Sequence, residues 1–183
     1  MTPPHQDGVL DAAFVRDGRG RTVLKTLRQR FPLRTTVPFY VDDGDPAMAF
    51  LYVQNPTGAV FAHDRLNTSV AAGDGTRVHV TTQSATKLHR MEDGHGIQDM
   101  RFTVGEAAYL EHIPDAIIPQ GGSRFVQRTA VHLGVGGTFI GCDTLAPGRT
   151  AHGESFAYER VCLGTEVRID GRLVCADRLE LRP

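Results

Sequence analysis

Six carboxylates and eight histidines are the groups in this chain with the most chemistry to offer. The acids are Asp64, Glu111, Asp115, Asp143, Glu154 and Glu166. Carboxylate, imidazole and water all suit a borderline divalent cation. A tight structural site needs ligands at short fixed spacings, and the sequence holds no H-x-x-x-H and no C-x-x-C pair. His89 and His95 stand six apart across a glycine turn, and the other histidines are scattered. Widely spaced acids of this kind suit weak, transient contact with a cation rather than a tight site. The competing reading pairs these acids with Arg65, Arg124, Arg128, Arg149 or Arg168 as salt bridges and turn caps. Pairs of that kind on a surface contribute little stability.

The other motifs fall short of an enzyme. Gly153-Glu154-Ser155 opens like a G-x-S-x-G elbow, but Ala157 stands in place of the last glycine. Gly134-Val135-Gly136-Gly137 resembles a dinucleotide loop, but Phe139 occupies the third glycine position and a strand pattern follows. There is no G-x-x-x-x-G-K-[ST] phosphate loop. The DDGDP loop at 42–46 lacks the later glutamate of a calcium-binding EF-hand. A dense polar block, TTQSATK at 81–87, has hydroxyls of the kind that cap and stitch strand edges.

The elements that must position these groups are strands. Leu10 to Phe14, Leu51-Tyr52-Val53, Arg77 to Val80, Gln98 to Val104, Phe125 to Leu133 and Val161 to Ile169 alternate or are rich in β-formers. Thr22 to Leu27 reads as a strand, and Val60-Phe61 as a short one. Asp17-Gly18, Asn55-Pro56, Asp74-Gly75 (a hairpin-type turn), Gly121-Gly122 and Asp170-Gly171 punctuate them. Pro114 and Pro119 forbid a long helix after Ala107. The pattern predicts an almost all-β chain, either a sandwich or an irregular stack of strands. No strict repeat is visible, so a regular hexapeptide solenoid is not supported.

Composition sets the outer bounds. With 183 residues, 40% hydrophobic and 22% charged, the chain reads as one soluble domain. A net charge of −1 argues against bulk binding of nucleic acid or an anionic membrane. No apolar run approaches the roughly 20 residues of a membrane span. Residues 1–8 read as a loose polar tail without a targeting signal. Cys142, Cys162 and Cys175 are odd in number and widely spaced, as reduced cytoplasmic thiols are.

QNPTG at 54–58, VF at 60–61, DRL at 64–66 and RVHVTTQSATKLHRM at 77–91 resemble the urease accessory protein UreD (UreH) family. Further matching blocks are QRFPLR at 29–34, PFY at 38–40, PDAIIP at 114–119, LAPGR at 145–149, GESF at 153–156 and DRL at 177–179. His63 departs from the pattern, standing where a glycine is usual.

The resemblance implies a right-handed β-helix-like stack of sheets with little or no helix. It makes residues 1–183 a single UreD-like β domain, a short or truncated member without the family's C-terminal helical portion. It also implies a non-enzymatic scaffold that binds UreF and, through it, the GTPase UreG. That assembly docks on apo-urease and assists nickel delivery, with GTP hydrolysis belonging to UreG. No cofactor is expected to bind tightly, and nickel passes transiently along the six acids. Two alternatives stand beside this reading: an enzyme of β-helical or sandwich fold acting on a polysaccharide through paired acids, and an inactive truncated form.

Overall fold

Strict alternation of inward apolar and outward polar residues lets successive segments stack side by side, each burying one face. In the computed structural model, which describes residues 6–183, this produces a solenoid-like stack of about four coils. Strand β1 (Asp7–Arg16) turns back into β2 (Thr22–Arg30), and β3 (Ala49–Val53) follows a loop. One coil is β4 (Arg65–Ala72), β5 (Arg77–Thr82) and β6 (Thr86–Leu88). The next is β7 (Gly96–Val104), β8 (Tyr109–His112) and β9 (Ile117–Pro119). Then come β10 (Arg124–Leu133) and β11 (Thr138–Gly141), a 3₁₀ turn at Thr150–His152, and β12 (Arg160–Ile169), on which β13 (Arg172–Leu181) folds back.

Each coil visits three sides. The first sheet has the order β13-β12-β10-β7-β4-β1-β2, parallel throughout except for the two antiparallel edge strands. The second, β11-β8-β5-β3, is wholly parallel. The third side is the β6–β9 pair, extended by bridges from Val60 to Leu88 and from Ile117 to Leu145. Both edges of the first sheet carry charge, Lys25 and Arg28 on β2, Arg172 and Arg178 on β13, which discourages pairing with another chain.

Inward residues line up in rows across the first sheet. One row is Ala12, Val70, Phe102, Val131 and Val167; the next is Phe14, Ala72, Val104 and Leu133. Large residues sit beside small ones, so the rows fill the interior without crowding. Phe14, Phe102 and Phe125 are fully buried, and each such side chain contributes about 1.5–3 kcal/mol of burial.

Several expectations change in detail. The tail ends earlier than Gly8, because Asp7 and Gly8 already pair with Arg65 and Leu66; residues 1–5 lie outside those described. Asp74-Gly75 is no hairpin. It is a coil corner, with Gly75 at φ 63°, and it joins β4 and β5 in different sheets. Val60 makes a single bridge rather than a strand. Asp170-Gly171 is a true hairpin, its two loop residues at φ 49° and 76° as a two-residue turn requires. Among the described residues no helix is long and apolar enough to cross a membrane.

Candidate functional site

The second sheet stops at β11, while β12 and β13 carry the first sheet further. Between β11 and this overhang lies a cleft of about 380 Å³, lined by His112, Thr129, Cys142, Asp143, Thr165 and Asp177 together with apolar residues. A second, smaller cleft of about 50 Å³ opens at the corner between β5 and β6. Thr82 to Lys87, the polar block of the sequence, form one wall, and Thr68 and Gln98 reach it from the first sheet.

Neutral polar groups run between the two clefts. On the inward face Gln98 is the register partner of Gln127, and Thr129 is that of Thr165. Thr68, Gln127 and Thr129 are buried. The Gln98 amide has only the weak acceptor Met100 Sδ, at 3.3 Å. Gln127 Nε2 and Thr129 Oγ1 have no hydrogen-bond partner among the described residues. A buried polar group without a partner costs about 1–3 kcal/mol, and two such atoms, Gln127 Nε2 and Thr129 Oγ1, stand two residues apart on the inward face of β10. Position by position these residues simply continue the inward alternation of β4, β7 and β10. Only the register, which sets Gln98 beside Gln127, makes them a seam, and residue spacing does not reveal it.

His112 stands on the floor of the larger cleft, at 6% exposure. Its ring lies against Phe102, centroids 4.8 Å apart. Burial, with a smaller contribution from nearby His79, pushes its pKa down to about 4. The imidazole is therefore neutral at pH 7.

The six acids do not converge. Asp64 is buried at the corner before β4, where its carboxylate accepts the backbone N–H of Gln6 at 3.0 Å and of Phe61 at 2.9 Å. Glu111 lies on the outer face of the second sheet, against His79 Nδ1 at 2.6 Å, and accepts the Tyr109 hydroxyl at 2.7 Å. That hydrogen bond raises the Tyr109 pKa. Glu154 is clamped by both arms of Arg149 and accepts the Gly121 N–H at 3.0 Å. The guanidinium and that N–H hold its pKa at about 2. Glu166 pairs with Arg168 at 2.6 Å on the outer face of the first sheet. Asp115 is exposed, its own N–H donating to Thr82 Oγ1 at 2.9 Å. Asp143 lines the β11–β13 cleft with Thr129 and Thr165, whereas Glu166 lines a different cleft, on the outer side of the first sheet. Among the described residues no three His, Cys, Asp or Glu side chains gather as a metal site. The acids also form no facing pair across a groove, which the polysaccharide reading needs.

The chain matches the model of the UreD urease accessory protein family over residues 6–183. It belongs to the UreD family. It is 40% identical over its whole length to a urease accessory protein UreD of Mycolicibacterium gilvum, of which it spans 67%. It is 39% identical to UreD 2 of Streptomyces griseus and 35% identical to UreD of Cenarchaeum symbiosum, spanning 61% of each. These relatives are named accessory proteins rather than enzymes. The departure from the UreD pattern at His63 now has a physical setting. His63 has φ 68°, a left-handed conformation that glycine adopts without strain, and its ring contacts Gly94 closely enough to exclude a Cβ there.

Proposed function

We propose that this chain is a non-enzymatic scaffold in urease maturation that also conducts nickel. It acts in the cytoplasm with UreF and, through UreF, with UreG, on apo-urease. The scaffold part rests on membership of the UreD family. The passage part rests on one observation, the line of buried polar side chains from the β5–β6 cleft to the β11–β13 cleft. Carboxamides and hydroxyls bind a divalent cation weakly, so an ion solvated by them moves on rather than staying. Of the six acids, Asp143 serves at the mouth. The other five belong to this reading only as part of a wider acidic field.

Co-expression with urease and its other accessory proteins tests it. Capture of UreF by the tagged chain, and metal analysis of the purified urease, are the two readouts. The reading expects UreF to co-purify, and expects Gln127→Leu and Thr129→Val to lower the nickel content of urease while UreF binding persists. Normal nickel content in both variants sinks the passage. Failure to hold UreF or apo-urease sinks the scaffold.

A further inference from the structure

Every described histidine except His112 lies outside the seam. His79 is held by Glu111, His63 faces Asp93 at 3.4 Å, and His132 faces Arg101 at 3.4 Å on the outer surface. His89 and His152 are exposed, and His95 lines a different cleft on the outside of the first sheet. His112 alone is buried on the inward side, and neither ring nitrogen is hydrogen-bonded among the described residues. Thr129, whose buried Oγ1 has no partner among the described residues, lines the same cleft.

We propose that His112 is the selective step of the nickel passage, an imidazole that coordinates borderline divalent cations such as Ni(II) and leaves Mg(II) and Ca(II) unbound. This rests on the passage proposed above. The chemistry follows from the donor set. The seam's other groups are hydroxyls and carboxamides, oxygen donors that favour no late transition metal over a hard cation. Imidazole does favour them, provided a nitrogen lone pair is free. The His112 ring is buried against the cleft, and among the described residues no protein donor competes for its ring nitrogens. One imidazole, with an exposed Asp143 carboxylate on the same cleft, makes a place to pause. With no third ligand converging, it is not a place to stay.

The test is a titration of the ¹⁵N-labelled full chain, following the assigned imidazole signals of each histidine. Paramagnetic NiCl₂ is added to one sample and MgCl₂ to another. The expected result is loss of the His112 ring signals with Ni(II) and their retention with Mg(II), with no need for any variant to fold. In parallel, His112→Gln and Gln127→Leu are co-expressed with urease. If Ni(II) leaves His112 unaffected while Gln127→Leu lowers urease nickel, the passage stands and the selective step is overturned. If His112 responds to Ni(II) but both variants yield fully nickel-loaded urease, the passage fails and the role of His112 fails with it. Loss of His112 signals by Mg(II) as readily as by Ni(II) overturns the selectivity.

Discussion

The second sheet holds two histidines one coil apart on opposite faces, and they are treated in opposite ways. Outside, His79 is fixed by Glu111, which is itself fixed by Tyr109, and the imidazole stacks on Phe50 with centroids 4.6 Å apart. Inside, the His112 ring lies against Phe102, and among the described residues neither of its nitrogens is hydrogen-bonded. The same contrast runs through the molecule. Glu154, Glu166 and Asp64 are held by guanidinium groups or backbone N–H groups, whereas Gln127 and Thr129 in the interior are not held at all. Charge in this fold serves mainly to fasten corners and edges, and two of the buried polar atoms left unfastened, Gln127 Nε2 and Thr129 Oγ1, are neutral and on the inward face of β10. Ordinary surface proteins put spare polarity outside and satisfy it inside.

The largest effect should come from unfastening a corner. Asp64→Ala leaves the Gln6 and Phe61 N–H groups without their acceptor. At about 1–3 kcal/mol for each orphaned donor, the loss is about 4 kcal/mol, measured by urea denaturation. Asp64→Asn keeps an acceptor and should lose clearly less. An Asp64→Ala variant as stable as the parent would mean the corner is not held this way, and would blur the line drawn between outer and inner groups.

Next comes the pH dependence of the inner histidine. His112 has a pKa of about 4 in the folded chain against 6.5 ordinarily. The unfolded chain therefore binds more protons between these values, and stability falls as the pH drops from 6.5 to 4. At 1.36 kcal/mol per pKa unit the full loss is about 3 kcal/mol. Denaturation midpoints of the parent and of His112→Gln across this range should diverge, with the parent losing more. Parallel curves would place His112 in a wetter setting than its burial implies. Glu154 and Glu180, both held near pKa 2 by arginines, act at the acid end; their contribution is present above about 4.5 and lost as the pH falls toward 2.

Much of the fold was legible in the sequence, because strand alternation and turn residues are local. β1, β2, β3, β5, β7, β10 and β12 each coincide with an expected strand segment. The repeat was not legible. Arg65 lies beside Ile97, Gly96 beside Phe125 and Arg124 beside Arg160, so successive coils consume 32, 29 and 36 residues and no fixed period exists to be seen. Of the residues the sequence singled out, Thr82 to Lys87 line one cleft and Asp143 lines another, while Asp64, Glu111, Asp115 and Glu154 line neither. The seam depends on which strand lies beside which, a long-range fact that Gln98 and Gln127 do not carry individually. Sequence also could not tell a carboxylate that fastens a corner, such as Asp64, from one that faces a cleft.

Gln127→Leu sharpens the contrast from the inside. Replacing an unsatisfied buried amide with an apolar group of similar size removes a penalty rather than a bond. Stability should stay within about 1 kcal/mol of the parent or rise, in thermal or urea unfolding, while the nickel content of co-expressed urease falls. A destabilisation like that of Asp64→Ala would show that Gln127 is fastened after all, and that the interior obeys the same rule as the surface.

The smallest effect on stability, and the sharpest comparison, comes from two exposed acids. Glu166 sits on the outer face of the first sheet and is paired with Arg168; Asp143 sits on the wall of the β11–β13 cleft. An exposed ion pair contributes about 0.2–1 kcal/mol. Asp143 makes no ion pair or side-chain hydrogen bond among the described residues, so Glu166→Gln and Asp143→Asn should both unfold within about 1 kcal/mol of the parent. Their consequences for nickel should separate. A carboxylate at a cleft mouth concentrates a divalent cation there, and making it neutral removes that attraction without changing shape. A carboxylate already neutralised by an arginine on another face attracts little. Urease co-expressed with Asp143→Asn should therefore carry less nickel, and urease co-expressed with Glu166→Gln should carry as much as with the parent. Because the attraction is electrostatic, the deficit in the Asp143 variant should shrink when nickel in the medium is raised. If both variants deliver nickel equally, position relative to the cleft does not matter. The acids then act, if at all, only as a diffuse field. A deficit in Glu166→Gln alone would move the route to the outer face of the first sheet, and the interior seam would lose its claim to the cation.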